Sequence, residues 1–256
     1  MFSLPPAKGE SLGARQLTAL QKAWEGDPVS AFGGVLVFTD PLQEESAAWL
    51  SERFIEVVAA PGLQSTDLAL KTLLVRRKNL RALSIDRFEA ETKTLQTTVA
   101  GGVLSQSPDS QMGETLKTVT KKSWPEARAR LAHFGIAVCR SLKSNAVTLV
   151  REWPDRAGAY QLVGAGQGQP NRVEALKWLA VPRARAVLSA TGGLIEDCVL
   201  ISDAFFPFRD TVDEAYQAGI RWIVQPGGSI KDSESIQACD EKGIAMAFTG
   251  TRHFRH

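Results

Sequence analysis

Cysteine is nearly missing from this chain: Cys139, Cys198 and Cys239 stand far apart, with no Cys-x-x-Cys pair among them. That spacing argues against a disulfide framework and a thiolate zinc site, and it fits a reducing compartment. Histidine is equally scarce, with His133 in a helical stretch and His253 and His256 in the C-terminal tail. No His/Asp/Ser constellation and no paired-metal spacing emerges, so hydrolase and metalloenzyme readings have no support. Charge of one sign is lacking too, since 30 basic and 28 acidic side chains leave a net charge of +2. A dedicated nucleic-acid surface needs a larger excess, although local cationic pockets for small anions stay open. No uninterrupted apolar run is long enough to span a bilayer. The opening MFSLPPAKGE is broken by two prolines and has no apolar core of a signal peptide. The expectation is a cytoplasmic protein without a metal, a membrane or a nucleic-acid partner.

What is present is core material: 256 residues, 44% of them hydrophobic, enough for one large domain or two intimate lobes. Helix and strand signals alternate. SLGARQLTALQKAWEG reads as a helix stopped by Gly26, GGVLVFT as a short strand, PLQEESAAWLSERF as an amphipathic helix with an acidic start, and IEVVAAPG as a strand. A helix over 66–75 and strands near 80–85 and 94–99 follow. The polar stretch 105–122 reads as the most exposed connection and as a lobe boundary, dividing the chain into 1–122 and 123–256. Ser123 and Glu126 have capping-box spacing, and Leu131, Phe134, Val138 and Leu142 would bury one helix face. NAVTLV and AYQLVGAG look like paired strands, a helix covers 172–189, and CVLISDA opens a series of strand, loop and helix. This alternation predicts an α/β protein, helices packed on a mixed or parallel sheet.

Four motifs invite a chemical reading, each with a plainer one beside it. In GAGQGQPNR, residues 164–172, glycines would let the backbone approach a ligand while Arg172 forks onto a carboxylate or phosphate; an ordinary hairpin-to-helix turn accounts for it equally. Asn145 in KSNAV offers a donor and an acceptor to a substrate, or is a turn asparagine. Gly227–Gly228–Ser229 leaves free N–H groups for an anion, or Ser229 is an N-cap. SDAFFPFRD, residues 202–210, sets three phenylalanines between charges. Asp210 and Asp213 fit a cap with an acidic first turn, yet capping leaves the aromatic run unexplained, and an apolar wall with polar groups describes a ligand pocket.

Together these segments resemble the transformylase half of the bifunctional purine-biosynthesis enzyme, which formylates aminoimidazole carboxamide ribonucleotide (AICAR). The matching stretches are DPVSAFGGVLVF, FIEVVAAPG, KNLRAL, VAGGVLSQ, KSNAV, GAGQGQPNR, SDAFFPFRD, QPGGSIKD and ACDEKGIAMAFTGTRHFRH, in family order from residue 24 to 256. The resemblance implies two cytidine-deaminase-like α/β lobes, the first truncated at its N-terminus. It also implies a homodimer with interfacial sites and formyl-tetrahydrofolate as donor. Carried over by position, Asn145 and Asp210 would sit by the amine and the formyl group. Gly33, Glu56, Phe205 and Arg252 would line the nucleotide pocket. Phe32, Arg172, Pro207, Ser229 and Ile230 would face the folate.

Two departures shape the expectation. The cyclohydrolase domain that precedes this half in the family is absent from these residues, and the family's Lys-His pair, in a KHxNPCG-like motif, has no match. None of His133, His253 or His256 falls at its position, and that histidine is the family's base. The resemblance therefore implies a transformylase that draws the Lys-His pair from a second polypeptide or uses a substitute base such as Glu56. A nucleotide- or folate-binding subunit and an unrelated α/β phosphate-ligand enzyme are the alternatives.

Overall fold

The computed structural model describes residues 1–85, 94–110 and 113–255; His256 lies outside them. The chain opens with β1 (Phe2–Ser3) and α1 (Leu12–Glu25), whose Ser11 hydroxyl caps it by accepting from the Ala14 N–H at 3.1 Å. Then come β2 (Gly34–Val37), α2 (Glu44–Ser51), β3 (Ile55–Ala60), α3 (Leu68–Arg76) and β4 (Arg81–Ser84). β2, β3 and β4 form a parallel three-stranded sheet, as strand–helix–strand crossovers require. Leu20, Leu50, Ile55, Val58 and Leu73 bury a core between this sheet and its helices. β5 (Leu95–Val99) and β6 (Gly102–Gln106) make a hairpin turned at Ala100–Gly101.

β7 (Lys117–Thr118) and the remaining strands build the larger sheet. After it come α4 (Ala129–Cys139), β8 (Val147–Glu152), β9 (Tyr160–Gly166), α5 (Arg172–Glu174) and α6 (Val181–Thr191). β10 (Val199–Ser202), α7 (Asp210–Ala218), β11 (Trp222–Gln225), α8 (Asp232–Glu241) and β12 (Ala245–Phe248) complete the chain. The seven strands lie in the order β1-β9-β8-β10-β11-β12-β7, a mixed sheet. β10 alternates within a continuous apolar run: Val199 and Ile201 pack with Leu131, Ile136 and α4 on one face, Leu200 with α6 and α7 on the other. A strand apolar at successive positions, as in Val199–Ile201, is what a sheet covered on both faces needs. The expected α/β class is therefore observed, with a mixed sheet flanked by helices. Among the described residues no helix is long and apolar enough to cross a membrane.

Two local expectations fail. Ser123 makes no capping box; a short 3-10 turn, Glu126–Arg128, precedes α4 with Pro125 at its cap and no side-chain cap bond. The glycines of GAGQG do not open the backbone to a ligand at Gly164 and Gly166. Both lie in β9, beneath a π-helical turn (Ala175–Ala180) between α5 and α6, where a Cβ on Gly164 would fall on the Ala180 carbonyl and one on Gly166 on that of Ala175. Only missing side chains let this helix sit so close on the strand.

The N-terminal segment is fastened by Arg156, which donates to Glu10 at 2.8 and 2.9 Å and to the Pro5 carbonyl at 3.0 Å. The hydrogen bonds from Arg156 hold the Glu10 carboxyl below its ordinary value of 4.5. A carboxyl depressed on folding stabilises the fold above its unfolded pKa, and that contribution is lost as pH falls through the folded one. Stability measured by urea titration should thus decline below about pH 4.5, with Glu10→Gln flattening that acid limb. Gly166→Ala should cost about 3 kcal/mol by overpacking, whereas Gly168→Ser, at a glycine with open space around it, should cost only the strain of its positive φ.

Candidate functional site

β8 runs antiparallel to both β9 and β10, and β10, β11 and β12 are mutually parallel, so β9 to β12 share one direction. Their carboxyl ends deliver four segments to one edge of the sheet: Gln167–Arg172, Asp203–Phe206, Pro226–Ser229 and Thr249–Arg252. β8 enters at the same edge through Asn145 and Ala146. Ligands of open α/β sheets bind beyond the carboxyl ends of strands, where connections diverge.

At the centre is Asp203, with a carboxylate fully shielded from solvent. Arg172 donates to its Oδ1 from Nε at 3.1 Å and from Nη2 at 2.9 Å. The Ser144 hydroxyl and the Ala146 N–H donate to Oδ2 at 2.5 and 3.1 Å. Its backbone is used as well: the Asp203 N–H donates to Ala146 O at 3.2 Å, and its carbonyl accepts from the His253 N–H at 2.8 Å. The fork of Arg172, read from sequence as a grip for an anion, closes on an anion of the chain itself. Asn171 caps the helix behind it, accepting from the Glu174 N–H at 2.8 Å.

Asn145 is half-buried, and its Nδ2 donates to the carbonyls of Gln169 and Pro170 at 2.9 and 3.0 Å. Carbonyls only accept, so these two bonds fix which end of the amide is nitrogen. Oδ1 is left as the acceptor, with no donor to it among the described residues.

The aromatic run divides. Phe206 is wholly buried in the core below α7, with its N–H on Gln225 Oε1 at 3.1 Å, so it is no pocket wall. Phe205 is half-buried under the Arg252 guanidinium, 4.6 Å from the ring centroid, and Gly228 lies beside that guanidinium. Pro207 and Phe208 are exposed, with Lys231 Nζ 4.8 Å from the Phe208 ring. Asp210 is exposed and is the first residue of α7 rather than its cap, which is Arg209. Ser229 is not a cap either: its hydroxyl accepts from the Lys231 N–H at 3.1 Å and α8 begins at Asp232. Ile230 is fully exposed.

Phe32, Gly33 and Glu56 gather on the smaller sheet. Gly33 has φ +71° and donates to the Phe54 carbonyl at 2.9 Å; Phe32 lies against the Phe54 ring at 4.9 Å, and a Cβ on Gly33 would come 3.8 Å from Glu56 Oε1. Glu56 and Phe54 line a cavity of about 520 Å³ with Arg76, Arg77, Lys78 and Arg81, a cationic lining the sequence reading passed over. No hydrogen bond, ion pair or ring contact joins this group to the Asn145–Arg252 group among the described residues. Also missed were Asp203 and Ser144. The sign of the first was there: an acid ending the apolar run CVLIS is buried by its strand and needs a partner.

The site therefore belongs to an α/β protein whose carboxyl sheet edge gathers the buried Asp203–Arg172 ion pair, the Asn145 amide and the Arg252 guanidinium over Phe205. A family-wide sequence pattern described as AICARFT/IMPCHase bienzyme matches residues 6–183. The bifunctional purine biosynthesis protein PurH of Clostridium perfringens (strain SM101 / Type A) is 40% identical over 248 residues, 97% of this chain and 45% of that protein. PurH of Enterococcus faecalis (strain ATCC 700802 / V583) is 40% identical over 251 residues, 97% of this chain and 46% of its own length. The chain belongs to the AICARFT/IMPCHase bienzyme family, and it spans less than half the length of these curated relatives.

If Asp203 holds the site together, Asp203→Asn should destabilise the fold by about 3–5 kcal/mol, because Arg172 keeps a charge with no buried counterpart. Adding Arg172→Gln should recover part of that loss in urea unfolding. Strict additivity of the two changes would show that the pair is not coupled.

Proposed function

We propose that the chain transfers a formyl group from formyl-tetrahydrofolate to the amine of AICAR in purine biosynthesis, in the cytoplasm. The observation that carries this reading is Asn145, whose amide nitrogen is tied to the Gln169 and Pro170 carbonyls so that its oxygen is left as an acceptor at the carboxyl edge of the sheet. An aromatic carboxamide-bearing amine is a weak nucleophile. Accepting one of its N–H bonds at Asn145 Oδ1 orients the nitrogen lone pair toward the formyl carbon. The new C–N bond forms, the bond from the formyl carbon to the folate nitrogen breaks, and the amine gives up a proton. Arg252 meets the nucleotide phosphate with its fixed charge, and Phe205 supports the guanidinium from below. Asp210 serves the formyl group; Phe32, Arg172, Pro207, Ser229 and Ile230 face the folate. In this reading Arg172 acts from its pairing with Asp203.

Gly33 and Glu56 complete the nucleotide pocket, and their separation from Arg252 within one chain supports a homodimer in which each site draws on both copies. The two-unit division, 1–122 and 123–256, as cytidine-deaminase-like lobes draws support from the separate core around Leu50 and Leu73. The proton acceptor is assigned to the family's Lys-His pair, carried outside these 256 residues on a further segment or a second polypeptide, with Glu56 as the substitute.

Calorimetry with AICAR should give binding heat, and Arg252→Ala should weaken binding by about 1.5–3 kcal/mol, the range for a hydrogen bond to a charged group. The isolated chain should transfer formyl about 10²–10⁴-fold more slowly than when a Lys-His segment is supplied. No heat at millimolar AICAR would overturn the nucleotide assignment.

A further inference from the structure

Arg252 reaches the site on residues 249–255, which follow β12 and belong to no sheet. Short bonds hold this arm. The His253 N–H donates to the Asp203 carbonyl at 2.8 Å, the Ser144 N–H donates to the Arg255 carbonyl at 2.8 Å, and the Arg255 N–H donates to Ser144 Oγ at 3.2 Å. The side chain of His253 is 3% exposed, more deeply buried than any other part of the arm. Its ring meets acids from the connection between β6 and β7. Nδ1 lies 2.8 Å from Asp109 Oδ2, and Nε2 faces the buried Glu114 carboxylate at 3.5 Å. Glu114 is anchored in turn, its backbone carbonyl 2.8 Å from Nε2 of His133 on α4.

A core histidine could sit there for packing alone, but packing asks for neither acid. The Asp109 carboxylate, 144 residues earlier, holds Nδ1 at hydrogen-bond distance, while Glu114 packs against Nε2 at 3.5 Å without a hydrogen bond, so the ring is fixed chiefly through Asp109. Fixing that ring fixes the peptide from which Arg252 departs, and so where its guanidinium stands over Phe205. A long cationic side chain held on a loose arm loses much of its binding energy to ordering; a clamped one does not.

We propose that His253 is a positioning residue, held through Nδ1 by Asp109 with Glu114 packed against Nε2, so that Arg252 is preorganised to receive the anionic end of the substrate. The proposal rests on the assignment of Arg252 to the nucleotide phosphate and deepens it. Asp109 and Glu114 thereby govern affinity at the Arg252 site from the connection that leads to β7.

The test compares the native chain with Asp109→Ala, His253→Leu and His253→Asn, the last placing an amide nitrogen where Nδ1 stood. Hydrogen exchange of residues 250–255 should quicken about tenfold in Asp109→Ala and His253→Leu and stay near native in His253→Asn. The AICAR dissociation constant should rise about tenfold in the first two and recover in the third, as for loss of a charge-assisted bond. Asp109 is partly exposed, so its variant keeps the test valid if His253→Leu fails to fold. Native exchange in Asp109→Ala would overturn the clamp whether or not AICAR binds. Fast exchange with unchanged AICAR affinity would overturn its role in positioning Arg252. Absence of binding by the native chain would refute the nucleotide assignment and with it the positioning role, while the exchange result still decides whether the arm is clamped.

Discussion

A carboxylate sealed from water at the end of a β-strand is the constraint on which the site depends. Asp203 carries its charge into the interior, where an unpaired carboxylate would be strongly disfavoured, and it is tolerated because four donors converge on it. Those donors come from two parts of the chain, Ser144 and Ala146 before β8 and Arg172 at the helix start, while the Asp203 backbone donates to the Ala146 carbonyl and accepts from the His253 N–H. Asp203, through its charge and its backbone, thus brings the entry of β8, the exit of β9, the exit of β10 and the C-terminal arm to a common point. The residues proposed to meet substrate are next to these anchors in sequence. Asn145 lies between Ser144 and Ala146, Phe205 is two residues beyond Asp203, and Arg252 precedes His253. Rigidity is supplied by one set of residues and, in the proposed reading, substrate contacts by their neighbours.

The same economy explains the glycines. Gly164 and Gly166 bring the π-helical turn onto β9, and this close seating sets the start of the helix, hence the place from which Arg172 reaches Asp203. A widened helical turn beside a proposed site is a common association. Here it has a mechanical reading, since it presents the Ala175 and Ala180 carbonyls toward the bare strand.

Much of this was legible from local pattern. The helix of SLGARQLTALQKAWEG, its stop at Gly26 and the short apolar strands depend on residues a few positions apart, and each formed as read. Capping at Ser123, Ser229 and Asp210 was misjudged because a cap is decided by where the backbone enters the helix, which the spacing of hydroxyls and acids does not fix. Phe205 and Phe206 look alike in sequence; they part because successive residues leaving β10 point to opposite sides, one toward Arg252 and one into the core. Asp203 and the acids around His253 escaped notice because their partners lie 31 and more than 130 residues away. Burial and pairing of that kind come from topology.

AICAR is proposed to bind at the carboxyl edge organised by Asp203. Titrating the isotopically labelled chain with AICAR and following its amide resonances tests this most directly. Shifts should concentrate at Asn145, Gln169, Phe205, Gly228 and Arg252, including the Asn145 side-chain amide, with the Cys139 and Phe206 signals nearly still. Shifts gathered elsewhere, or an Asn145 amide that ignores saturating AICAR, would contradict it.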